Sequence, residues 1–282
     1  MVAEADRSVP SPEGESDVAE REGAEAGAEA GACGVVVTGA SGIAAAAARM
    51  LAARGDRVFV VSRDPAKCRA LAEELGAGSA GWSAADLTDE APTVAAFEAA
   101  AAALGRIDGV VAVAGGSARR FGDGWLHEMT LDAWNAALAM NLTPTFLTVR
   151  EAVRHMRAAG GGSIVMTSSV LATSPQPDGF ATHGYAAAKA AISGWVMPLA
   201  AAYARDGIRL NVVAPGLVRT PMARRAAKDP EILAFAARKQ PLVGDMLSPE
   251  VVAAAMIQML DAEAATGQVL AVDGGWMVTS TS

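Results

Sequence analysis

The sequence predicts an α/β protein built on one open, doubly wound parallel sheet of about seven strands, with helices on both faces. Three observations carry that prediction. Short β-branched runs alternate with Ala-rich stretches of helical length from residue 34 to about residue 275. Glycines close those stretches at Gly55, Gly76, Gly105 and Gly207, where a helix C-terminus wants a residue free to take positive φ. The first apolar run passes straight into a glycine turn that opens a helical stretch. Strand and helix taking turns implies right-handed βαβ crossovers, which make neighbouring strands parallel and cover both faces of the sheet.

The strands are read in order at GVVVTGA (34–40), RVFVVS (57–62), SAGWSAADL (79–87), IDGVVAVAGG (107–116), SIVMTSS (163–169), IRLNVVAPG (208–216) and GQVLAVDGG (267–275). The third is the weakest. Helices are expected at 43–54, 65–76, 91–104, 131–158, 184–205 and 248–262. The rhythm gives a single Rossmann-like domain over 34–282, with no internal repeat and no second-domain linker. One stretch, 217–246, interrupts the alternation and is expected to form a lid over the substrate. Arg219, Arg224, Arg225, Lys228, Arg238 and Lys239 make it basic, and Arg119 and Arg120 are candidates for the same cleft. Attraction for an anionic substrate or an acyl carrier is one reading. A solvated amphipathic helix is the other, and both stay open here.

Charge and composition narrow the function classes. Residues 1–33 carry nine acidic groups against Arg7 and Arg21, so most of the net charge of −8 lies there. That segment has no aromatic residue and much Gly, Glu and Ala, too little apolar surface to offset its ordering entropy, and is expected to be a disordered acidic tail. The remainder is nearly neutral, which argues against nucleic-acid binding. No charge-free apolar run reaches the roughly 18 residues of a membrane span. The acidic N-terminus has the wrong sign for a leader, and Cys33 and Cys68 have no metal-type spacing. His127 and His155 show no ligand pattern, so no metal is expected; the expected compartment is the cytoplasm.

In open α/β sheets, ligands bind beyond the carboxyl ends of the strands. The first strand ends in TGASGIAAAAARM. Gly39 permits a sharp turn and Gly42 a close backbone approach to a pyrophosphate. Ser41 and Ile43 flank Gly42 where the helix N-terminus offers amide hydrogens, and Ala44 or Ala45 allows tight packing on the strand. The second strand ends at Ser62-Arg63 before Asp64. A guanidinium there favours a 2′-phosphate, hence NADP; Asp64 is the rival that would favour NAD.

Tyr185 is one of only two tyrosines and stands four residues ahead of Lys189. On a helix both project from one face. A free phenol has a pKa of about 10, and a neighbouring ammonium is expected to lower it. Tyr185 then serves as general acid for a carbonyl oxygen receiving hydride, and as general base in reverse. Ser169, at the end of SIVMTSS, would hydrogen-bond the same oxygen. His183 reads as a packed or loop histidine.

With these motifs in hand, the chain resembles the short-chain dehydrogenase/reductase family over residues 34 to about 275. The resemblance rests on TGASG, ADL at 85–87, VAVAGG at 111–116, Asn141-Leu142, Ser169, YAAAK at 185–189, IRLNVVAPG and TGQVLAVDGG at 266–275. It implies a catalytic set of Asn141, Ser169, Tyr185 and Lys189, with Lys189 also on the nicotinamide ribose and Asn141 anchoring a relay water. It further implies Asp86 and Leu87 beside adenine, Ala114 and Gly115 along the cofactor, and Leu217 and Thr220, after Pro215-Gly216, near nicotinamide. A homotetramer using 131–158 and 184–205 is the family expectation. Three features depart from the pattern. The glycine turn is one residue tighter, with alanine at its third glycine. Ala112 and Val113 replace a pair of asparagines, a loss of bracing for the central strand. Ser169 and Tyr185 stand 16 positions apart, a few more than common. The expected function is an NADP-preferring reductase/dehydrogenase of a ketone or secondary alcohol; a 3-oxoacyl thioester reductase and a catalytically idle nucleotide-binding regulator are the alternatives.

Overall fold

Each of the seven apolar runs forms a strand: β1 (Gly34–Thr38), β2 (Arg57–Ser62), β3 (Ser79–Ala84), β4 (Gly109–Ala112), β5 (Gly162–Thr167), β6 (Ile208–Pro215) and β7 (Val269–Val272). The computed structural model describes residues 32–176 and 179–280. Residues 1–31 of the expected acidic tail lie outside the described residues. All strand pairs are parallel, in the order β3-β2-β1-β4-β5-β6-β7. Winding reverses between β1 and β4. Thr38 is in register with both Val61 of β2 and Ala112 of β4, so three strands end at one level and open a crevice there.

The side-chain period of two sorts the core into layers. Val35 and Val37 face one way, with α1 (Ile43–Ala53) and α8 (Pro249–Asp261) supplying Ala44 to Ala48, Leu51, Val252 and Met256. Val36 faces the other way, against Phe97 of α3 (Glu90–Leu104), Val149 and Met156 of α5 (Thr143–Ala159), and Ile192 and Val196 of α6 (His183–Tyr203). The run of buried alanines lets α1 lie close against both the sheet and α8. Asp64 caps α2 (Pro65–Leu75) by accepting from the amides of Ala66 and Lys67.

One helical expectation needs correction. The stretch 131–158 is not one helix but two, α4 (Leu131–Asn141) and α5. Pro144 has no N–H to return to the carbonyl four residues back, so the ladder fails there and restarts with proline in the first turn. The break leaves Asn141 at a helix end. The stretch 217–246 contains the helix that one of its two readings expected, α7 (Pro230–Lys239), capped by Asp229. No helix among the described residues is long and apolar enough to cross a membrane.

Candidate active site

A cavity of about 1180 Å³ opens at the carboxyl ends of the strands, and every residue singled out above for catalysis or cofactor binding lines it. On its β1 side Gly39 turns the chain with φ 121° and donates its N–H to the Val61 carbonyl at 2.7 Å. A Cβ on Gly39 would lie 2.8 Å from the Ala44 Cβ. Gly42, with φ 57°, begins α1; a Cβ there would lie 3.0 Å from Thr220 Cγ2. Both positions therefore require glycine for conformation and for space.

The loop after β4 lacks that pair of asparagines and is held instead by side chains from outside it. The buried Thr38 hydroxyl accepts from the amides of Val113 (3.1 Å) and Ala114 (3.3 Å). Asn141 Oδ1 accepts from Gly116 N at 2.9 Å, while its Nδ2 donates to the Ala137 carbonyl at 3.0 Å. The Asn141 side chain is thus committed to the loop, and its own carbonyl accepts the Thr145 hydroxyl at 3.2 Å.

Tyr185 and Lys189 lie on the first turns of α6, and five hydrogen bonds tie that helix down. The buried carboxylate of Asp123 accepts from Gly184 N at 2.9 Å and Tyr185 N at 3.0 Å, two amides that an unfinished helix end leaves without partners. Ser168 Oγ donates to the Lys189 carbonyl at 2.8 Å and accepts from Ser193 Oγ at 2.7 Å. Lys189 Nζ donates to the Thr167 carbonyl at 2.8 Å. Ser169 is buried, and its Oγ accepts from Leu171 N at 3.2 Å.

The electrostatics correct one expectation. Burial pushes the Tyr185 phenol above its ordinary value, and the neighbouring Ser169 hydroxyl works only partly against this. Burial also brings Lys189 down to about 8. The ammonium lies 5.8 Å from the ring centre and spends a donor on Thr167, so desolvation outweighs attraction and each group is driven towards its neutral form. His183 is exposed at the start of α6 and meets Trp125 edge-on at 6.0 Å, away from the cavity lining.

A family model described as enoyl-(acyl carrier protein) reductase matches residues 37–277. The chain is 41% identical over 246 residues to cis-4-hydroxycyclohexanecarboxylate dehydrogenase of Sinomonas cyclohexanicum, covering 86% of this chain and 95% of that one. It is 37% identical over 254 residues to galactitol 2-dehydrogenase (L-tagatose-forming) of Cereibacter sphaeroides, covering 88% and 96%. A solved short-chain type dehydrogenase/reductase from Mycobacterium ulcerans superposes with a TM-score of 0.80 at 32% identity, covering 87% of this chain and 90% of the other. The chain belongs to the short-chain dehydrogenase/reductase family. It is an oxidoreductase of a family that works with a nicotinamide dinucleotide.

For a short-chain dehydrogenase/reductase, three features of this site were missed in the sequence. Asp123 carries no motif, yet it caps the helix that bears Tyr185 from 62 positions away. Gln240 is fully buried; its Oε1 accepts from Leu217 N at 2.6 Å, and its Nε2 donates to the carbonyls of Leu217 (3.2 Å) and Asp245 (2.8 Å). It therefore fixes the chain just after Pro215-Gly216. Phe180, Phe235 and Trp276 form a triangle with ring centres 5.5–5.6 Å apart, tying α7 to the segment ahead of Tyr185. Of these, only the Gly122-Asp123-Gly124 turn offered a sequence signal.

Proposed function

We propose that the protein is an NADP-preferring oxidoreductase interconverting a ketone and a secondary alcohol, with Tyr185 as general acid in reduction and general base in oxidation. The observation that carries this reading is that Tyr185, Ser169 and Lys189 share one cavity with the Gly39–Gly42 turn. The residues fit a dinucleotide: a Cβ at Gly39 or Gly42 would crowd the turn where Ser41 and Ile43 would meet the phosphates. Asp86 and Leu87 would flank adenine, Ala114 and Gly115 would line the middle, and Tyr185 and Lys189 would hold the nicotinamide ribose. Pro215, Gly216, Leu217 and Thr220 would hold the nicotinamide end.

NADPH, when bound there, would supply the hydride that a carbonyl carbon accepts. As negative charge builds on the carbonyl oxygen, the Ser169 hydroxyl donates a hydrogen bond to it and Tyr185 Oη gives it a proton. Burial supports the first half of that role, because it keeps the phenol protonated until it is needed. The Lys189 cation favours the phenolate left behind. Asn141 acts through the loop after β4, which its amide holds. The relatives' names, those of dehydrogenases of a hydroxycyclohexanecarboxylate and of a polyol, support a secondary alcohol.

Coenzyme choice follows from the end of β2. Asp64 caps α2 and pairs with Lys67 at 3.1 Å, so the acidic rival is engaged. Ser62, Arg63 and Lys67 line the cavity beside it and suit a 2′-phosphate. The segment 217–246 serves as a substrate lid, its Phe235 meeting Phe180 and Trp276. Exposed Phe146 and Met197 on α5 and α6 support a homotetramer built on those helices. Free Cys33 and Cys68 fit a reducing cytoplasm.

The test is a panel of ketones with NADPH and NADH. Tyr185→Phe is expected to lower kcat by about 10²–10⁴-fold with NADPH affinity retained. Arg63→Gln is expected to raise KM for NADPH and leave NADH unmoved. Full turnover by the phenylalanine variant would refute the mechanism; an unchanged NADPH KM would refute the coenzyme reading.

A further inference from the structure

We infer that Arg119 and Arg225 form an anion-recognition subsite at the substrate end of the cavity, and that the substrate is a ketone or secondary alcohol bearing a carboxylate. This rests on the reading that the Tyr185 site is where substrate reacts. Arg119 lies in the short turn Arg119–Phe121 after β4, and Arg225 immediately precedes the turn Ala226–Lys228 in the stretch 217–246. Although 106 positions apart in the chain, both guanidiniums line the cavity, and both donate to one acceptor, the Gly179 carbonyl, at 3.1 Å and 2.8 Å.

Two like charges meeting over a neutral oxygen repel each other. Some other arginines are matched, Arg49 with Glu74, Arg219 with Asp245, and Arg54 with Asp56 and Asp261, whereas others, such as Arg57 and Arg209, spend their donors on main-chain carbonyls without a second cation at the same acceptor. Neither Arg119 nor Arg225 makes an ion pair among the described residues. Burial, and then the charge of Arg225, hold Arg119 below its ordinary value; Asp123 works the other way, but its oxygens already accept the Gly184 and Tyr185 amides. Each guanidinium has five N–H donors in a fork matched to a carboxylate, and each spends only one on Gly179. A carboxylate between them would relieve the repulsion and take the remaining donors.

The position suits a substrate. Gly179 precedes Tyr185 by six residues, and Arg119 precedes Asp123, the residue that caps Tyr185, by four. Leu171, Phe180 and Met222 line the same cavity and offer apolar cover for a carbon skeleton. Arg63 and Lys67 belong to the β2 end of the cavity, so the two basic groups divide the work between coenzyme and substrate.

The test uses the full chain with methyl-ketone carboxylates from levulinate upward, each beside its methyl ester. The wild type is expected to prefer at least one acid over its ester by tenfold or more in kcat/KM. Arg119→Met and Arg225→Met are each expected to collapse that ratio at least tenfold, while Arg224→Met, outside the cavity lining, leaves it alone. If the arginines merely hold the Gly179 loop, acid and ester fall together and the ratio survives, which overturns the inference. A second arm needs no turnover: calorimetric binding of cyclohexanecarboxylate against its carboxamide. Preferential carboxylate binding that the double arginine variant loses upholds the subsite even if no ketone is reduced, an outcome that would sink the oxidoreductase mechanism alone. Equal binding of acid and amide overturns the subsite even if ketones are reduced well.

Discussion

Replacing Lys189 by methionine turns the burial of its ammonium into a measurable slope. The side chain is 4% exposed, and burial takes its pKa from 10.5 to about 8. Between those values the unfolded chain still binds a proton that the folded chain has released. Stability must therefore rise with pH through that window, and the cost of the buried charge is fully present below about pH 8. At about 1.4 kcal/mol per pH unit, the whole window is worth about 3 kcal/mol. The hydrogen bond to Thr167 offsets about 1 kcal/mol of this at neutral pH. Lys189→Met is thus expected to be at least as stable as the wild type at pH 7 and to lose that advantage at high pH. The assay is urea unfolding of both chains at steps across the window, repeated in a Tyr185→Phe background so that the phenol's own titration drops out. Other titrating groups cancel in the difference between the curves. A difference that stays flat with pH refutes the argument, because it means the amine keeps its proton as easily inside the fold as outside.

Two further outcomes follow from the geometry. Asp123→Ala leaves the Gly184 and Tyr185 amides unpaired, at about 1–3 kcal/mol each, and should cost a similar sum in thermal unfolding. It should also lower kcat at least tenfold with KM for NADPH within twofold; unchanged kcat would mean Tyr185 needs no such support. Gly42→Ala puts a methyl 3.0 Å from Thr220 Cγ2 at a φ of 57° and should weaken NADPH binding at least tenfold by fluorescence titration. Adding Thr220→Ser, which removes that methyl, should restore part of the affinity, and no restoration would assign the loss to backbone strain alone.

The sheet was legible because its signal is local. Each strand is a run such as Val35-Val36-Val37, and each crossover is long enough and Ala-rich enough to read without tertiary help. The split at Leu142 was within reach, since Pro144 sits in the window; the Ala-rich flanks simply outweighed one residue. Lines of site residues at strand ends were legible for the same reason, as fold topology brings strand ends together. What escaped was pairing across the chain. Nothing local says that Asp123 reaches Tyr185, that Gln240 reaches Leu217, or that Thr38 replaces a missing asparagine at Val113. The direction of the Tyr185 shift escaped because it depends on burial, and a helical i, i+4 spacing reports proximity without reporting solvent.

The anchoring of α6 also accounts for the long stretch between Ser169 and Tyr185. Had that stretch set the distance between the two hydroxyls, extra residues would loosen it. The contacts instead run around it: Ser168 at the end of β5 holds the Lys189 carbonyl, Thr167 holds the Lys189 ammonium, and Asp123 beyond β4 holds the Tyr185 amide. Two of those three partners follow directly from where β5 and α6 lie on the sheet, so the geometry of the candidate site is fixed by the scaffold. A longer loop then costs only closure entropy, about 0.6 kcal/mol for each doubling of length. Gly179, where the two cavity arginines converge, lies within that stretch.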